Sequence, residues 1–129
     1  VVRRAGEAVT IVAWQDMLRR PLKAADRLSQ EGIEVEIIDP RTLNPFDRDT
    51  IIESVKKTGA CIVVEEAYRT LGVGAEIGAM LLEAALPYMD KPFKRLAIPD
   101  VPIPTSQHLV DAIVPSVDDI YQAVKELTD

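Results

Sequence analysis

Short apolar runs alternate with longer amphipathic stretches along this chain. The runs are rich in β-branched residues, as in strands that a parallel sheet buries on both faces, and they predict strands at 1–4, 9–13, 33–39, 60–65 and 92–98. The stretches between them repeat apolar residues at helical spacing, and they predict helices at 17–31, 48–57, 73–89 and after residue 116. This alternation predicts an α/β fold with three layers, αβα, around a mostly parallel sheet of about five strands.

Residues typical of helix ends support these boundaries. Asp47 suits the N-cap of the second helix, and Gly59 suits its end. Ser116 and Asp119, three residues apart, predict a capping box at the start of the last helix. Pro21 conflicts with the first helix, because proline lacks the amide hydrogen that an internal helical position needs. We therefore expect that helix either to start late or to bend at the proline.

Composition changes the picture in three ways. A chain of 129 residues with 47% hydrophobic residues suits one domain with a packed core. Its net charge of −6 argues against nucleic-acid binding, which needs a basic surface. No apolar run approaches the roughly 20 residues that a membrane helix requires. The chain starts inside a predicted strand without an initiator methionine, so we expect residues 1–129 to be a fragment of a longer subunit.

Two glycines before the third predicted helix raise the question of phosphate binding. Bare amides at a helix start attract anions, and Gly72 and Gly74 stand at that position. A dinucleotide fingerprint, however, needs a glycine where Ile77 stands, and Gly78 comes one residue too late. The carboxylate of Glu76 would also repel a phosphate. The favoured interpretation is that the glycines let this helix approach the sheet closely.

Candidate catalytic groups are few. Glu65 and Glu66 end the third long strand, at the edge where α/β sheets keep functional groups, and we expect them to cap a helix or to pair with Arg69 rather than to catalyse. The single cysteine, Cys61, lies in an apolar strand, where a thiol is usually a buried hydrophobe. It is far in sequence from His108, the single histidine. The sequence thus predicts no catalytic, cofactor-binding or metal-binding residue.

Several sequence blocks then point to one family. Residues 9–14, 22–25, 31–35 and 38–47 resemble the carboxyl-terminal domain of transketolase-like proteins. More narrowly, the chain resembles the beta subunit of the decarboxylating component of 2-oxo acid dehydrogenase complexes, of the pyruvate, branched-chain and acetoin type. That resemblance rests on Val-Glu-Glu at 64–66, Gly-Val-Gly-Ala-Glu-Ile at 72–77, Asp-Val-Pro-Ile-Pro at 100–104 and Val-Pro-Ser-Val at 114–117. The chain departs from the family at residues 14–17 and at Pro21.

The resemblance implies thiamine diphosphate and magnesium in the intact enzyme, with both bound by other domains, so this domain alone is expected to be inactive. It also implies three partners: the alpha subunit, a second beta subunit, and the subunit-binding domain of the acyltransferase core. The expected location is the cytoplasm, or the mitochondrial matrix in a eukaryote. Two alternatives stay open: the equivalent domain of transketolase or deoxyxylulose-phosphate synthase, and a free-standing flavodoxin-like binding module.

The predicted partner-binding surface lies on the proline-rich segment and the closing helix. That helix carries Asp118, Asp119, Glu126 and Asp129, and carboxylates at its carboxyl end oppose the helix dipole. In the family, the acyltransferase's basic binding domain docks near these residues, and acidic groups would speed that encounter. His108, in the proline-rich segment, is the remaining candidate contact. The competing interpretation is a solvated polar face without a partner.

Overall fold

A computed structural model describes residues 1–129, in which five strands alternate with helices. The strands are β1 (Val2–Arg4), β2 (Thr10–Ala13), β3 (Glu36–Ile38), β4 (Cys61–Tyr68) and β5 (Lys94–Ile98). The α-helices are α1 (Arg19–Ser29), α2 (Arg48–Thr58), α3 (Val73–Ala84), α4 (Gln107–Ile113) and α5 (Val117–Thr128). Short 3-10 turns occupy Gln15–Leu18 and Leu86–Tyr88.

The sheet has the order β1-β3-β2-β4-β5. Strands β3, β2, β4 and β5 run parallel, and β1 joins β3 antiparallel at one edge. The predicted mostly parallel sheet is therefore confirmed. Because the chain passes from β2 to β3 on one side and then to β4 on the other, the carboxyl ends of β2 and β4 form the point where the strand order reverses.

Apolar side chains of alternate strand residues form two cores, one on each face of the sheet. Ile11 and Ile62 pack with α1 and α5, whereas their neighbours Val12 and Val63 pack with α2 and α3. This is the period of two expected of strands buried on both faces. Each fully buried aliphatic side chain contributes about 1.5–3 kcal/mol relative to an exposed one. Buried apolar side chains on both faces of the sheet therefore stabilise the three-layer arrangement.

Helix α1 resolves the alternatives that Pro21 left open. The chain after β2 makes a 3-10 turn, and the α-helix begins only at Arg19. Pro21 therefore falls in the first turn, where backbone amides have no partner inside the helix, and its missing N–H costs nothing. The helix starts late and does not need a bend at the proline.

Three predicted boundaries differ from the structure by three or more residues. The strand predicted at 33–39 is regular only over Glu36–Ile38, because the chain just before it folds back on the end of α1, where the Ile33 N–H bonds to the Leu28 carbonyl. Strand β4 continues to Tyr68, since it pairs with Ile98 beyond an irregularity in the register. Helix α3 stops at Ala84, and the 3-10 turn that contains Pro87 follows.

The proline-rich segment between β5 and α5 has no helix or strand before Gln107 and then forms α4, which carries His108. The predicted caps at Asp47 and Ser116 are confirmed, the second as a complete capping box. Cys61 is fully buried in β4, and burial raises the pKa of its thiol. None of the helices combines the length and the apolar character required to span a membrane.

Candidate functional site

The carboxyl end of β4 holds the one buried carboxyl group that lacks a complete set of partners. The side chain of Glu65 has no exposed surface, and its Oε2 accepts a hydrogen bond of 3.0 Å from the Gly74 N–H in the first turn of α3. Its Oε1 has no hydrogen-bond partner. Burial raises the pKa of Glu65, although the Gly74 N–H and the charge of Arg95 act in the opposite direction. Glu65 therefore serves as an internal cap for the start of α3.

The glycines around this carboxyl group are required by space. A Cβ atom added to Gly72 or to Gly74 would lie 2.7 Å from Glu65 Oε1. One added to Gly78 would lie 2.8 Å from the ring of Phe93. The close approach predicted from Gly74 and Gly78 is confirmed.

Glu65 also occupies the place where a phosphate would bind at this helix start. Its carboxyl group fills the space into which a phosphate would have to enter, and it already uses the Gly74 amide. The diphosphate of a thiamine cofactor therefore does not fit here. Nor do three or more His, Cys, Asp or Glu side chains come together anywhere in the chain as a metal cluster.

The expected pairing of Arg69 with Glu65 or Glu66 is wrong, because Arg69 turns towards β5. Its Nη1 donates to the Arg95 carbonyl oxygen at 3.1 Å, and Arg95 Nη1 donates in return to the Arg69 carbonyl oxygen at 2.7 Å. Neither guanidinium has a carboxylate oxygen within 4.0 Å. Glu66 is exposed. Of the two structural roles expected for the carboxylates, helix capping is confirmed for Glu65.

These two arginines line a groove of about 550 Å³ between β5 and α5. Apolar side chains from β5 and from the segment before α5 contribute Leu96, Ile113 and Pro115. Helix α5 contributes two carboxylates, Asp119 and Glu126. The groove therefore has a basic wall and an acidic wall, with apolar surface between them.

Two of the predicted partner-binding residues lie on the acidic wall. Asp119 Oδ2 accepts from the Ser116 N–H at 2.8 Å, so this carboxylate belongs to the capping box. Glu126 forms an ion pair with Lys94 of β5. Both carboxylates thus have partners within the chain.

The other two carboxylates of α5 lie outside this groove. Asp118 pairs with Arg27 of α1 at 2.5 Å, and Asp129 lies 3.4 Å from Lys125 Nζ. Carboxylates near the carboxyl end of α5 oppose the helix dipole. Pairing with cations of the same chain explains why the helix tolerates them. The structure does not bring the four carboxylates together as one patch.

His108 lies apart from these carboxylates. It is exposed on α4 and does not line the groove beside β5. Its neighbour Gln107 bonds to Asp111 at 2.9 Å, and both line a second cavity, of about 410 Å³, which they share with Arg20 of α1. Partner contacts through His108 would therefore involve a different surface from contacts through Glu126.

Two features of the carboxyl edge of the sheet escaped the sequence analysis. The first is the pair of hydrogen bonds between Arg69 and Arg95, which lie 26 positions apart and belong to no common sequence motif. The second is a group of exposed apolar side chains on the loops after β4 and β5. Leu71 is 96% exposed and adopts a left-handed backbone with φ 62°, and Ile103 is 57% exposed. The Thr70 hydroxyl, which donates to the Asp100 carboxylate, joins the two loops.

Comparison with known proteins defines the class. The family described as "Transketolase, C-terminal domain" matches residues 1–120, and the chain belongs to that family. A structure of "Split gene transketolase, inactive beta4 tetramer" superposes with a TM-score of 0.84 and 30% identity, over 99% of this chain and 40% of that one. A 2-oxoglutarate:ferredoxin oxidoreductase from Magnetococcus marinus has a TM-score of 0.66 over 97% of this chain and 18% of that one, at 18% identity, which shows the shared fold alone.

Similar sequences narrow the comparison to one kind of subunit. The chain is 44% identical over 124 residues to the pyruvate dehydrogenase E1 component subunit beta-2, mitochondrial, of Oryza sativa subsp. japonica, covering 96% of this chain and 33% of that protein. It is 40% identical over 126 residues to the pyruvate dehydrogenase E1 component subunit beta of Rickettsia felis, covering 98% and 39%. The chain thus spans between about a quarter and two-fifths of the length of the curated relatives that it matches.

Proposed function

We propose that this chain is the carboxyl-terminal assembly and docking domain of the beta subunit of a thiamine-diphosphate-dependent 2-oxo acid dehydrogenase of the pyruvate dehydrogenase type. The observation that carries the proposal is the 44% identity to a pyruvate dehydrogenase beta subunit across 96% of this chain. Decarboxylation belongs to the intact enzyme, with thiamine diphosphate and magnesium held by other domains. This domain contributes surfaces rather than reacting groups.

An assembly role is supported by the exposed apolar side chains of the loops after β4 and β5. Leu71, Val101 and Ile103 are each more than two-fifths exposed, as is Tyr68 at the end of β4. Water-exposed apolar groups that cluster on one surface are typical of a protein interface. We propose that the alpha subunit or a second beta subunit covers these loops. The similar split-gene transketolase is itself described as a beta4 tetramer.

A docking role is proposed for α5 and α4, with contacts from Asp118, Asp119, Glu126, Asp129 and His108. The carboxylates outside the capping box remain open to water, since the side chains of Asp118, Glu126 and Asp129 are 79%, 65% and 65% exposed. Exposed ion pairs stabilise a protein by only about 0–1 kcal/mol. A basic partner could therefore replace their present lysine and arginine partners at little cost. The partner that we propose is the basic subunit-binding domain of the acyltransferase core.

The test is a titration of that acyltransferase domain into the assembled alpha and beta subunits at low and at high salt. Neutral variants Glu126→Gln and Asp129→Asn avoid placing a new positive charge beside Lys94 or Lys125. We expect each to weaken binding about two- to fivefold and to reduce its salt dependence. Glu83→Gln, an exposed site on α3, is the matched control.

Equal affinity and equal salt dependence for parent, Glu126→Gln and Asp129→Asn would contradict docking on α5. The carboxylates would then be solvated groups with internal partners. The docking surface would have to be sought around His108 and Asp111 instead.

A further inference from the structure

The groove between β5 and α5 contains two positively charged side chains, Arg69 and Arg95, that form no ion pair within the chain. Three other charged side chains of the groove have partners, since Lys94 pairs with Glu126 and Asp119 belongs to the capping box. Arg69 and Arg95 bond only to each other's neutral carbonyl oxygens.

The nearest buried carboxyl group does not serve as their counter-ion. Glu65 and Arg95 both border the start of α3 at Gly74, but no oxygen of Glu65 lies within 4.0 Å of a guanidinium nitrogen of Arg95. The positive charge of the pair is therefore available to something outside the chain.

The reciprocal bonds also fix the arginines in place. A guanidinium has five N–H donors in a rigid fork, and each of these uses one donor on a backbone carbonyl. The remaining donors are held without the mobility of a free surface arginine, which lowers the entropy cost of binding a ligand. Forks of this kind match carboxylate and phosphate oxygens, to which they bind through two parallel hydrogen bonds.

We propose that Arg69 and Arg95 form a binding site for a small oxyanion, a carboxylate or a phosphate, attached to an apolar body. The oxyanion binds the two guanidiniums, and the apolar body lies on Leu96, Ile113 and Pro115. A groove of about 550 Å³ is larger than a bare ion needs and falls within the size range of small-molecule sites. The site is distinct from the carboxylates proposed for docking, because it uses the basic wall of the groove.

The experiment follows the backbone amide NMR signals of residues 69–72 and of β5 in the 129-residue chain. Three probes are titrated separately at constant ionic strength: inorganic phosphate, 3-methylbutanoate, and the uncharged 3-methylbutan-1-ol. We expect saturable shifts with an anion at millimolar concentrations and none with the alcohol. Tighter binding of 3-methylbutanoate identifies an organic acid as the ligand type, and tighter binding of phosphate identifies a phosphate group.

Two variants at Arg69 and one control decide whether the arginines are responsible. Arg69→Gln should weaken anion binding at least about tenfold, as expected for the loss of a charged hydrogen bond. Arg69→Lys keeps the charge without the fork, so it should bind with intermediate affinity. Arg48→Gln, at an exposed position of α2, should bind like the parent. The proposal is overturned if neither anion gives saturable shifts, or if both Arg69 variants bind as tightly as the parent.

Discussion

Replacing Gly74 by alanine tests whether the buried carboxyl of Glu65 fixes the start of α3. The new methyl group would lie 2.7 Å from Glu65 Oε1 and 3.1 Å from Arg95 Cδ. The arginine side chain can move aside, because it is long and only partly buried. The carboxyl group cannot, since its other oxygen is held by the Gly74 N–H inside the core.

Two opposing contributions set the change in the free energy of unfolding that Gly74→Ala causes. Inserting a methyl group into packed space costs about 1–3 kcal/mol, whereas alanine gains up to about 1 kcal/mol over glycine in a helix. Gly74→Ala should therefore lower the free energy of unfolding by about 1–2 kcal/mol. In a Glu65→Ala background the clashing oxygen is gone, so only the helix term remains and the same change should stabilise by up to about 1 kcal/mol. The expected coupling between the two sites is about 2 kcal/mol.

Urea denaturation of the four proteins in this cycle provides the measurement, with the fluorescence of the single tryptophan, Trp14, and far-ultraviolet circular dichroism as probes. Gly78→Ala is the matched control, because its methyl group would meet the ring of Phe93 and not Glu65. Its effect should be the same with and without Glu65. Additive effects of Gly74→Ala and Glu65→Ala would refute the steric role of the carboxyl group.

Two further predictions concern the cap of α5 and the ionisation of Glu65. Ser116→Ala should lower the free energy of unfolding by about 1 kcal/mol, whereas Ser106→Ala, at a helix start whose serine makes no capping bond, should have little effect in the same urea assay. Because burial raises the Glu65 pKa above its ordinary 4.5, the folded state holds this proton more tightly, and the associated stability is lost as pH rises through the folded pKa. The side chain in Glu65→Gln cannot ionise, so the parent should lose stability relative to this variant as the pH rises from 4.5 to neutrality. If the difference between their free energies of unfolding stayed constant over this range, the raised pKa would be excluded.

The α/β class and most element positions could be predicted because they depend on local patterns. Apolar runs such as residues 61–64 have few ways to be buried except inside a parallel sheet. The capping box at Ser116 is likewise contained within four residues. Boundaries that depend on packing were less accurate, as in β4, whose extension to Tyr68 rests on pairing with Ile98.

The candidate site depended on contacts between distant residues. Glu65 was correctly expected to cap a helix, because a carboxylate close in sequence to a glycine-rich helix start has only a short distance to span. Pairing of the glutamates with Arg69, the other role that the sequence left open, does not occur. In the structure the guanidinium instead reaches a carbonyl oxygen 26 positions away on β5.

The sequence by itself determined the strands, the helices, the capping residues and the family, since each of these is recorded in neighbouring residues. Only the tertiary structure decided which charges are neutralised. Asp118, Glu126 and Asp129 pair with cations from α1, β5 and α5, whereas Arg69 and Arg95 have no carboxylate partner. Charge balance acts through space over a few ångströms, and the order of residues along the chain does not specify which side chains the fold brings within that distance.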